Sequence, residues 1–355
     1  MKVTRQDVAE LAKVSPSAVS YVLNKTPGAR IKEETRKRIV KAAAELGYRP
    51  NIFARSLVLQ RSHNIGIAIP HIDAFAAFGN FHFSETIKGI GEIATDSGYS
   101  LTLSFSDRDG LDYTELFRER RVDGLIIMHV GTADHLKILK LKEESYPFIL
   151  VNYHLDGENV SFVDSDNVGG AFKATEHLIK LGHKRIALVN GGMGSSNFRD
   201  RFEGYKMALK KYDLKFDRGI AFQVHVGSRD IPLIIKKLLG KKCDYPRAIF
   251  AGNDAFAVEA VNVIRKMGLS VPEDIAIVGF DDIPLAAYFS PPLTTVRQSI
   301  VEIGRVAAEE LINLLGDGAN NKKQIKRVLK TELIVRQSCG AKLKNVKVKG
   351  GEKRK

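Results

Sequence analysis

Cysteine and long apolar runs are scarce in this 355-residue sequence. Its two cysteines, Cys243 and Cys339, have no paired spacing, which excludes a disulfide framework and favours a reducing compartment. No run approaches the roughly 20 apolar residues that a membrane-spanning helix needs, and the N-terminal MKVTRQD has no apolar signal region. We therefore expect a cytoplasmic protein with no membrane partner. Tryptophan is also absent, which removes one common sugar-stacking side chain.

The motifs of common enzyme classes are missing as well. The sequence contains no GxSxG, no HExxH and no clustered set of His and Cys, and its nine histidines are scattered. GGMG at residues 191–194 follows a predicted strand and resembles a phosphate-cradling loop. It matches neither GxGxxG nor GxxxxGK followed by Ser or Thr. We therefore expect no enzyme activity, no catalytic residue, no metal and no cofactor.

Formal charge is concentrated at the two ends of the chain. Residues 1–61 contain 13 Lys and Arg against 5 Asp and Glu, and residues 340–355 contain 7 against 1. These segments account for the whole net charge of +14, so the 278 residues between them are formally neutral. A basic N-terminal segment on a neutral body indicates that this segment meets a polyanion. We expect the basic tail to be disordered, and either to add non-specific DNA affinity or only to aid solubility.

Residues 4–24, TRQDVAELAKVSPSAVSYVLN, are predicted to form two short helices joined by a tight turn. Thr4 is placed to cap the first helix, with Asp7 at the partner position of a capping box. Ser15 and Pro16 form a start signal for the second helix, because a hydroxyl cap precedes a residue whose missing N–H costs nothing there. Val8, Leu11 and Ala12 fall on one face of the first helix, and Val19, Val22 and Leu23 of the second helix are predicted to pack inward. A third helix is predicted at residues 33–46.

The opposite face of the second helix is short, polar and uncharged. It carries Ser17, Ser20, Tyr21 and Asn24 at helical spacing. Such hydroxyl and amide groups suit hydrogen bonding to base edges in a major groove, whereas a merely solvated face more often carries Lys and Glu. The pattern predicts a helix-turn-helix, although on its own it also fits an ordinary helical hairpin.

The first 60 residues resemble the LacI/GalR (lactose repressor) family of transcriptional regulators. The matching stretches are VTRQDVAELAKVSPSAVSYVLN, EETRKRI, LGYRPN and ARSL. The resemblance implies a head that contacts double-stranded DNA through Thr4, Ser15, Pro16, Ser17, Ser20, Tyr21 and Asn24. It also implies a hinge helix that folds when a dimer meets its operator. Its DNA contacts would be Asn51, Ala54, Arg55 and Leu57, with Leu57 as a wedge in the minor groove. A helix this short is unstable alone, so an ordinary linker is the alternative.

From residue 65 short β-rich runs alternate with amphipathic helices, which predicts an α/β core. Two such series predict two doubly wound, parallel-sheet lobes. Their strands are IGIAIP, YSLTLS, DGLIIM and FILVN in the first, then RIALVN, AFQV, AIFAGND and IAIVGFDD in the second. A helix at residues 300–315 and the run VLKTELIVRQ return to the lobes. The family resemblance continues through RVDGLIIM, HLIKLGHKRIALVNG, RFEGYKMAL, AGNDAFA, IVGFDD and SPPLTTVRQ, and implies a periplasmic-binding-protein-like core.

The predicted domain organisation has four parts. They are a helix-turn-helix head at residues 1–49, a hinge and linker at 50–62, an effector-binding and dimerisation core at 63–338, and a basic tail at 339–355. Within the core, the first lobe is predicted at about 63–162 and 297–325. The second is predicted at about 163–292 and 326–338.

Polar residues directly after the strands are the candidates for a ligand site. Ligands of such sheets bind beyond the carboxyl ends of the strands, here in the cleft between the lobes. By resemblance, the predicted effector contacts are Phe83, Asn152, Asp166, Arg201, Asn253 and Asp281. Their amide, carboxylate and guanidinium groups suit a polyhydroxylated or heterocyclic ligand. A helix cap or an inter-strand bridge is the alternative role for each, and Asp254 is predicted to be a helix N-cap.

Together with these features, the family resemblance implies a homodimeric, sequence-specific regulator in the bacterial cytoplasm, a repressor of carbohydrate-utilisation genes at a palindromic operator. A small molecule between the lobes would control its operator affinity, with a sugar favoured over a nucleobase or another metabolite. Asn152 departs from the Asp of well-known family members, which leaves the ligand's hydroxyl pattern open. Induction and corepression are both retained. A transport binding protein would share the core, but the missing signal region and the basic N-terminal segment argue against it.

Overall fold

The N-terminal part of the chain forms a head of three helices. The computed structural model describes residues 3–24, 28–49, 61–70, 81–105, 111–224, 230–240, 245–316 and 324–341. The head helices are α1 (Arg5–Ala12), α2 (Pro16–Leu23) and α3 (Glu33–Glu45). The predicted capping box is present, because the backbone N–H of Thr4 donates to Asp7 Oδ2 at 2.7 Å and that of Asp7 donates to Thr4 Oγ1 at 3.4 Å. Ser15 Oγ accepts the N–H of Ala18 at 3.2 Å and caps α2 as predicted.

One apolar cluster holds the three head helices together. Val8, Val19 and Ile39, one from each helix, have no exposed surface. The sequence pattern placed Leu11 on the same face as Val8 and Ala12, yet 48% of the Leu11 surface is exposed. The buried residues of α1 are Val8, Ala9 and Ala12, so Leu11 lies at the margin of the inward face.

The first lobe is built on a six-stranded parallel sheet with the order β11-β5-β4-β3-β1-β2. Its strands are β1 (Asn64–Ile69), β2 (Ser100–Phe105), β3 (Gly124–Met128), β4 (Phe148–Val151), β5 (Phe162–Ser165) and β11 (Lys326–Leu329). The helices packed against it are α4 (Phe81–Asp96), α5 (Tyr113–Arg118), α6 (His135–Glu143) and α12 (Ile300–Gly316). The central strands β3 and β4 are buried throughout, as expected for a parallel sheet covered on both faces.

The second lobe is built on a six-stranded sheet with the order β12-β10-β9-β8-β6-β7, parallel except for β12. Its strands are β6 (Ile186–Gly191), β7 (Ala221–Val224), β8 (Ala248–Ala251), β9 (Ala276–Asp281), β10 (Thr294–Arg297) and β12 (Glu332–Ile334). Its helices are α7 (Asn167–Lys180), α8 (Ser196–Lys211), α9 (Asp230–Leu239), α10 (Asp254–Lys266) and α11 (Pro284–Tyr288).

Within the part of the chain that the structure describes, the backbone passes between the two lobes three times. It leaves the first sheet after β5, returns after β10 to form α12 and β11, and leaves again to form β12. The strands depart from the lobe boundaries predicted from the sequence. β11 and all of β5 after Phe162 fall in the predicted second lobe, yet the two strands pair with each other in the first sheet, with Val163 opposite Arg327. Three crossings join the lobes side by side, with the carboxyl ends of their strands at a shared cleft.

Helices α7 and α11 were not predicted from the sequence. Gly169 and Gly170 stand in the first turn of α7, and glycine is a poor helix former. The structure explains Gly170, because a Cβ atom there would lie 2.8 Å from the Phe280 ring and 2.9 Å from Thr331 Oγ1. Close packing between α7 and the sheet therefore requires glycine at position 170. The same glycine lowers the helix propensity of the segment, so the sequence pattern does not indicate a helix there. Within the described residues, no helix has the length and apolar character needed to cross a membrane.

Candidate functional site

A cavity of about 550 Å³ lies between the lobes, where strand ends from the two sheets face each other. This volume is in the range of small-molecule sites. The first lobe supplies the start of α4 and the residues at the ends of β3 and β4, and the second supplies the loop after β6, part of α8 and the residues after β8 and β9. The lining residues are Phe81, His82, Met128, His129, Val130, Val151, Asn152, Tyr153, Ser195, Asn197, Phe198, Arg201, Asn253, Ala255, Asp281 and Ile283.

Four of the six predicted effector contacts line this cavity: Asn152, Arg201, Asn253 and Asp281. Asn152 follows β4 directly, Asn253 follows β8, and Asp281 is the last residue of β9. Arg201 reaches the same space from the second turn of α8. The rule that placed polar residues after strands therefore brings side chains of both lobes to one cavity.

Phe83 does not line the cavity, contrary to the prediction. Its side chain has no exposed surface and lies in the first-lobe core, with its ring centroid 6.2 Å from that of Phe105. Helix α4 begins at Phe81, so Phe81 and His82 in its first turn face the cavity while Phe83 points into the core. A difference of one residue turns a helical side chain by about 100°.

Asp166 is also absent from the cavity lining. Its Oδ1 accepts the N–H of Gly169 at 2.8 Å and caps α7, which is the alternative role considered for it. The N-cap of α10 is Asn253, whose Oδ1 accepts the N–H of Phe256 at 2.8 Å. The prediction that Asp254 caps this helix is therefore wrong by one residue.

Arg201 is held rigidly at one wall of the cavity. Only 3% of its surface is exposed, its Nε donates to Asn167 Oδ1 at 2.9 Å, and its Nη1 donates to the carbonyl of Gly252. The guanidinium carbon lies 3.8 Å from the centroid of the Phe280 ring, and Nη2 lies 3.7 Å from Asp281 Oδ1. Burial lowers the pKa of Arg201 and the Asp281 carboxylate opposes that shift, so the two charges compensate each other beside the cavity.

Asp281 also joins the second lobe to the first. Its Oδ1 accepts a hydrogen bond from Gln298 Nε2 at 2.7 Å and lies 3.2 Å from Nε2 of His82, in the first turn of α4. Gln298 Nε2 and His82 Nε2 are 3.1 Å apart. Asp281 has a φ of 126°, a region that side-chain-bearing residues rarely adopt, and such strain is often found at functional sites.

Asn152 and His129 add two neutral polar groups to the cavity lining. Asn152 has a φ of 54°, and its buried Oδ1 accepts no hydrogen bond from any residue that the structure describes. A buried amide oxygen without a donor costs free energy unless another molecule supplies one. Burial lowers the pKa of His129 to about 4, and the nearby His82 adds to the shift, so the His129 imidazole is neutral at pH 7.

Several cavity residues escaped the sequence reasoning. His129 and Tyr153 stand just after β3 and β4, so the rule that selected Asn152 would have found them. Phe198 lies in the first turn of α8, beyond the glycine-rich loop. Phe81 and His82 carry no such signal, because the sequence pattern does not show where α4 begins.

A second set of contacts closes the lobes together beside the cavity. The hydrogen bonds are Tyr153 OH to the Gly194 carbonyl at 3.3 Å, His154 N–H to Ser196 Oγ at 3.1 Å, and Arg199 Nη2 to Asp156 Oδ2 at 2.9 Å. The His154 imidazole also lies 3.9 Å from Asp164 and 3.8 Å from Asp200 of α8. Attraction to Asp164 and the other carboxylates raises the pKa of His154 against the opposing effect of burial.

The contacts around Asp200 predict a pH-dependent stability. Burial raises the pKa of Asp200 from 3.8 to about 6, with His154 opposing the shift and Asp164 adding to it. A carboxyl whose folded pKa is raised stabilises the fold fully below pH 3.8, and this contribution is lost as the pH rises through 6. Asp200→Asn should therefore stabilise the protein at pH 7 by about 2 kcal/mol and leave it unchanged near pH 4.

Chemical denaturation at pH 4, 5, 6 and 7 measures this difference. Asp213→Asn, at an exposed carboxyl beyond the other end of α8, is the matched control. An Asp200→Asn variant that is no more stable than the parent at pH 7 would contradict the role given to burial.

The predicted DNA-reading face of α2 is at the surface of the head. Ser17 is exposed, 48% of the Tyr21 surface is exposed, and Ser20 and Asn24 are half-buried. Asn24 Nδ2 donates to Ser20 Oγ at 3.1 Å, which orients both side chains on the same face. Thr4 and Ser15 are exposed at the N-termini of α1 and α2, where backbone N–H groups favour phosphate. The predicted hinge contacts at residues 51, 54, 55 and 57 lie outside the described residues.

The fold and the site together define a class of protein: a helix-turn-helix head joined to a two-lobed core with a ligand-sized cavity between the lobes. Comparison with known proteins agrees for both parts. Residues 4–51 match the family described as bacterial regulatory proteins, lacI family, and residues 175–339 match a periplasmic binding protein-like domain.

Similar proteins span almost the whole chain. A probable HTH-type transcriptional repressor, ExuR of Bacillus subtilis (strain 168), is 32% identical over 338 residues, covering 95% of this chain and 98% of the relative. The lac repressor dimer bound to operator and the anti-inducer ONPF superimposes with a TM-score of 0.81 at 27% identity, covering 96% of this chain and 99% of that one. The transcriptional regulator CelR in complex with cellobiose gives 0.70 at 28% identity, covering 95% and 100%.

The chain belongs to the LacI family. It is a DNA-binding transcriptional regulator with a periplasmic-binding-protein-like core, and it is not an enzyme. The predicted fold class is confirmed by both the sheet topology and the similarity to the lac repressor structure.

Proposed function

We propose that the protein is a repressor of carbohydrate-utilisation genes whose operator affinity is controlled by a small molecule bound between the lobes. The observation that carries the proposal is the cavity, because its lining comes from both lobes. A ligand that contacts both lobes favours one arrangement of the lobes over another, which is the requirement for ligand control. The names of the curated relatives support repression rather than activation.

The chemistry of the cavity supports a sugar as the effector. Asn152, Asn253 and the neutral His129 offer uncharged hydrogen-bonding groups, and the Arg201–Asp281 pair offers both donors and acceptors without net charge. Phe81 and Phe198 supply flat apolar surfaces that suit the face of a sugar ring. The cellobiose complex of a structurally similar regulator supports the same class. We therefore retain Asn152, Arg201, Asn253 and Asp281 as proposed effector contacts.

The proposed DNA-bound form is a homodimer on a palindromic operator in the bacterial cytoplasm. The dimeric lac repressor–operator structure supports this arrangement. In this proposal residues 1–49 read the operator, residues 50–62 form the hinge, and residues 63–338 bind effector and dimerise. The proposed DNA contacts of the head are the polar face of α2 together with Thr4, Ser15 and Pro16. Those of the hinge are residues 51, 54, 55 and 57.

Ligand-induced release from the operator tests the proposed effector site. A panel of sugars, including cellobiose and ribose, and of nucleobases is titrated onto the protein–operator complex, and the bound fraction is followed by fluorescence anisotropy. Asn152→Gly should weaken the response to the active compound by tenfold or more and leave operator affinity unchanged, because it removes one neutral contact without straining a left-handed residue.

Ser145→Gly is the matched control, since Ser145 has a similar φ of 58° but does not line the cavity. An undiminished response in Asn152→Gly would contradict the proposed contact between Asn152 and the effector. A response that appears only with nucleobases would contradict a sugar as the effector. A compound that strengthens operator binding would make the effector a corepressor.

A further inference from the structure

Helices α4 and α12 of the first lobe touch backbone to backbone. A Cβ atom at Gly89 of α4 would lie only 2.0 Å from the Val301 carbonyl oxygen, and one at Gly304 of α12 would lie 2.2 Å from the Thr86 carbonyl oxygen. Each glycine therefore lets the other helix approach without a side chain between them. At this crossing no side chain lies between the two backbones, so side-chain rotation there cannot accommodate a shift of one helix relative to the other.

Side chains on either side of this crossing fasten the pair further. Arg305 of α12 donates from both Nε and Nη2 to Glu92 Oε2 of α4, each at 2.7 Å. Ile90 of α4 and Ile303 and Ala307 of α12 are fully buried in one apolar cluster. Because close-packed interiors shift as units and deform little, the two helices behave as one rigid body.

One end of this helix pair lies in the cavity. His82 stands in the first turn of α4, and Gln298 lies two residues before the start of α12. Both contact Asp281 of the second lobe, at 3.2 Å and 2.7 Å. Any movement of the second lobe at Asp281 therefore acts on both helices at the same end.

The other end of the pair meets the segment that connects to the head. Arg61 Nη2 donates to the carbonyl of Leu315, in the last turn of α12, at 3.0 Å. A cation at a helix C-terminus is favoured by the carbonyls there. Leu311 of the same helix packs on Gly124, where a Cβ atom would lie 2.9 Å from the Leu311 side chain.

The residues after Arg61 are anchored beside that contact. The N–H groups of Ser62 and His63 donate to the Asp123 carboxylate at 2.6 and 2.9 Å, and Ser62 Oγ donates to it at 2.8 Å. Asp123 directly precedes Gly124. The C-terminal part of α12 thus touches both the connecting segment and Gly124, the residue next to its anchor.

We propose that α4 and α12 form one rigid unit that couples the cavity to the DNA-binding head, and that Arg61 is the positioning residue through which α12 acts on the connection to the head. The proposal rests on the proposed effector control and adds a route for it. The 17 residues of α12 span about 25 Å at 1.5 Å per residue, enough to reach from the cavity to the far end of the lobe. Arg61 contacts no effector-site residue among those described, so its role is to transmit position.

A double-mutant cycle on operator affinity tests the route without any ligand. His82→Ala perturbs the cavity end and Arg61→Met removes the contact at the head end, with Gln298→Ala as a second cavity variant. Independent sites multiply their effects within about twofold. We expect His82→Ala to change operator affinity by fivefold or more in the parent, and by less than twofold in the Arg61→Met background.

Arg327→Met is the matched control, because Arg327 pairs with Glu310 of α12 but lies in β11, away from the connecting segment. The fivefold effect of His82→Ala should persist in that background. An equal effect in the Arg61→Met background, or no effect of either cavity variant in the parent, would overturn the proposal.

Hydrogen exchange of the free protein separates this proposal from the proposed function. The amides of Ser62 and His63 should exchange faster when His82 is replaced by Ala in the parent and in Arg327→Met, but not in Arg61→Met. A protein that selects no operator would reject the proposed function, and the exchange comparison would still decide the coupling. Unchanged exchange in all three backgrounds would overturn the coupling even if an operator is found.

Discussion

Replacing Arg201 by methionine is expected to lower the free energy of unfolding by about 3–5 kcal/mol, the cost of removing one partner from a buried ion pair. Arg201 lies within a group of buried carboxylates that includes Asp281 and Asp254. Asp254 has no exposed surface, and burial together with the Asp281 charge raises its pKa. Without the guanidinium, these carboxylates must either take up protons or remain charged in a medium that solvates them poorly.

Urea denaturation followed by circular dichroism measures this loss. Arg185→Met removes an arginine of the same lobe whose pairing with Asp217 is exposed, so it should cost less than about 1 kcal/mol. Equal losses in the two variants would contradict the claim that Arg201→Met leaves buried carboxylates without a compensating positive charge. At pH 5 the Arg201→Met variant should recover part of its stability, because the orphaned carboxylates are more easily neutralised there.

Alanine at Ser17, Ser20 and Tyr21 together is expected to weaken operator binding by about a hundredfold or more. Each good base contact contributes about 1–3 kcal/mol of discrimination, and these side chains lie on the polar outer face of α2, with Ser17 and Tyr21 exposed and Ser20 half-buried. Stability of the head should change little, because the buried residues of α2 are Val19 and Val22 on its other face.

Fluorescence anisotropy against operator and random duplexes, at several salt concentrations, separates the two kinds of binding. The affinity for random DNA and its slope against salt should persist, since no phosphate-binding cation is removed. Val40→Ala, at an uncharged exposed position of α3, serves as the control. An equal loss on operator and random DNA would contradict base reading by α2.

The sequence patterns that predicted most are those with a simple period. Alternation of β-rich runs and amphipathic helices predicted both sheets, because strands buried on two faces are continuously apolar. Once the strands are located, the rule that ligands bind beyond strand ends selects Asn152, Asn253 and Asp281, because each lies at or just after the end of a strand. Arg201 lies on a helix, so the rule reached it only through the glycine-rich loop that follows β6, and the family resemblance then selected it as a contact.

The residues that sequence reasoning misplaced depend on helix starts. Phe83 was chosen for the cavity, whereas the first turn of α4 presents Phe81 and His82. Asp166 follows a strand as Asn152 does, but it precedes a helix and caps it. Strand-following position alone does not separate a ligand contact from an N-cap. Helix α7 was missed because Gly169 and Gly170 lower local helix propensity, although Gly170 permits close packing with Phe280.

The central claim is that a sequence-reading head is joined to a ligand-binding core. Selection from a random pool of duplexes by the purified full-length protein, followed by sequencing of the bound fraction, tests it most directly. The account predicts an enriched palindrome of about 14–18 base pairs, as expected for two heads reading adjacent major grooves, with a flexible pyrimidine–purine step at its centre. Absence of any enriched sequence, both alone and with a mixture of metabolites present, would contradict it.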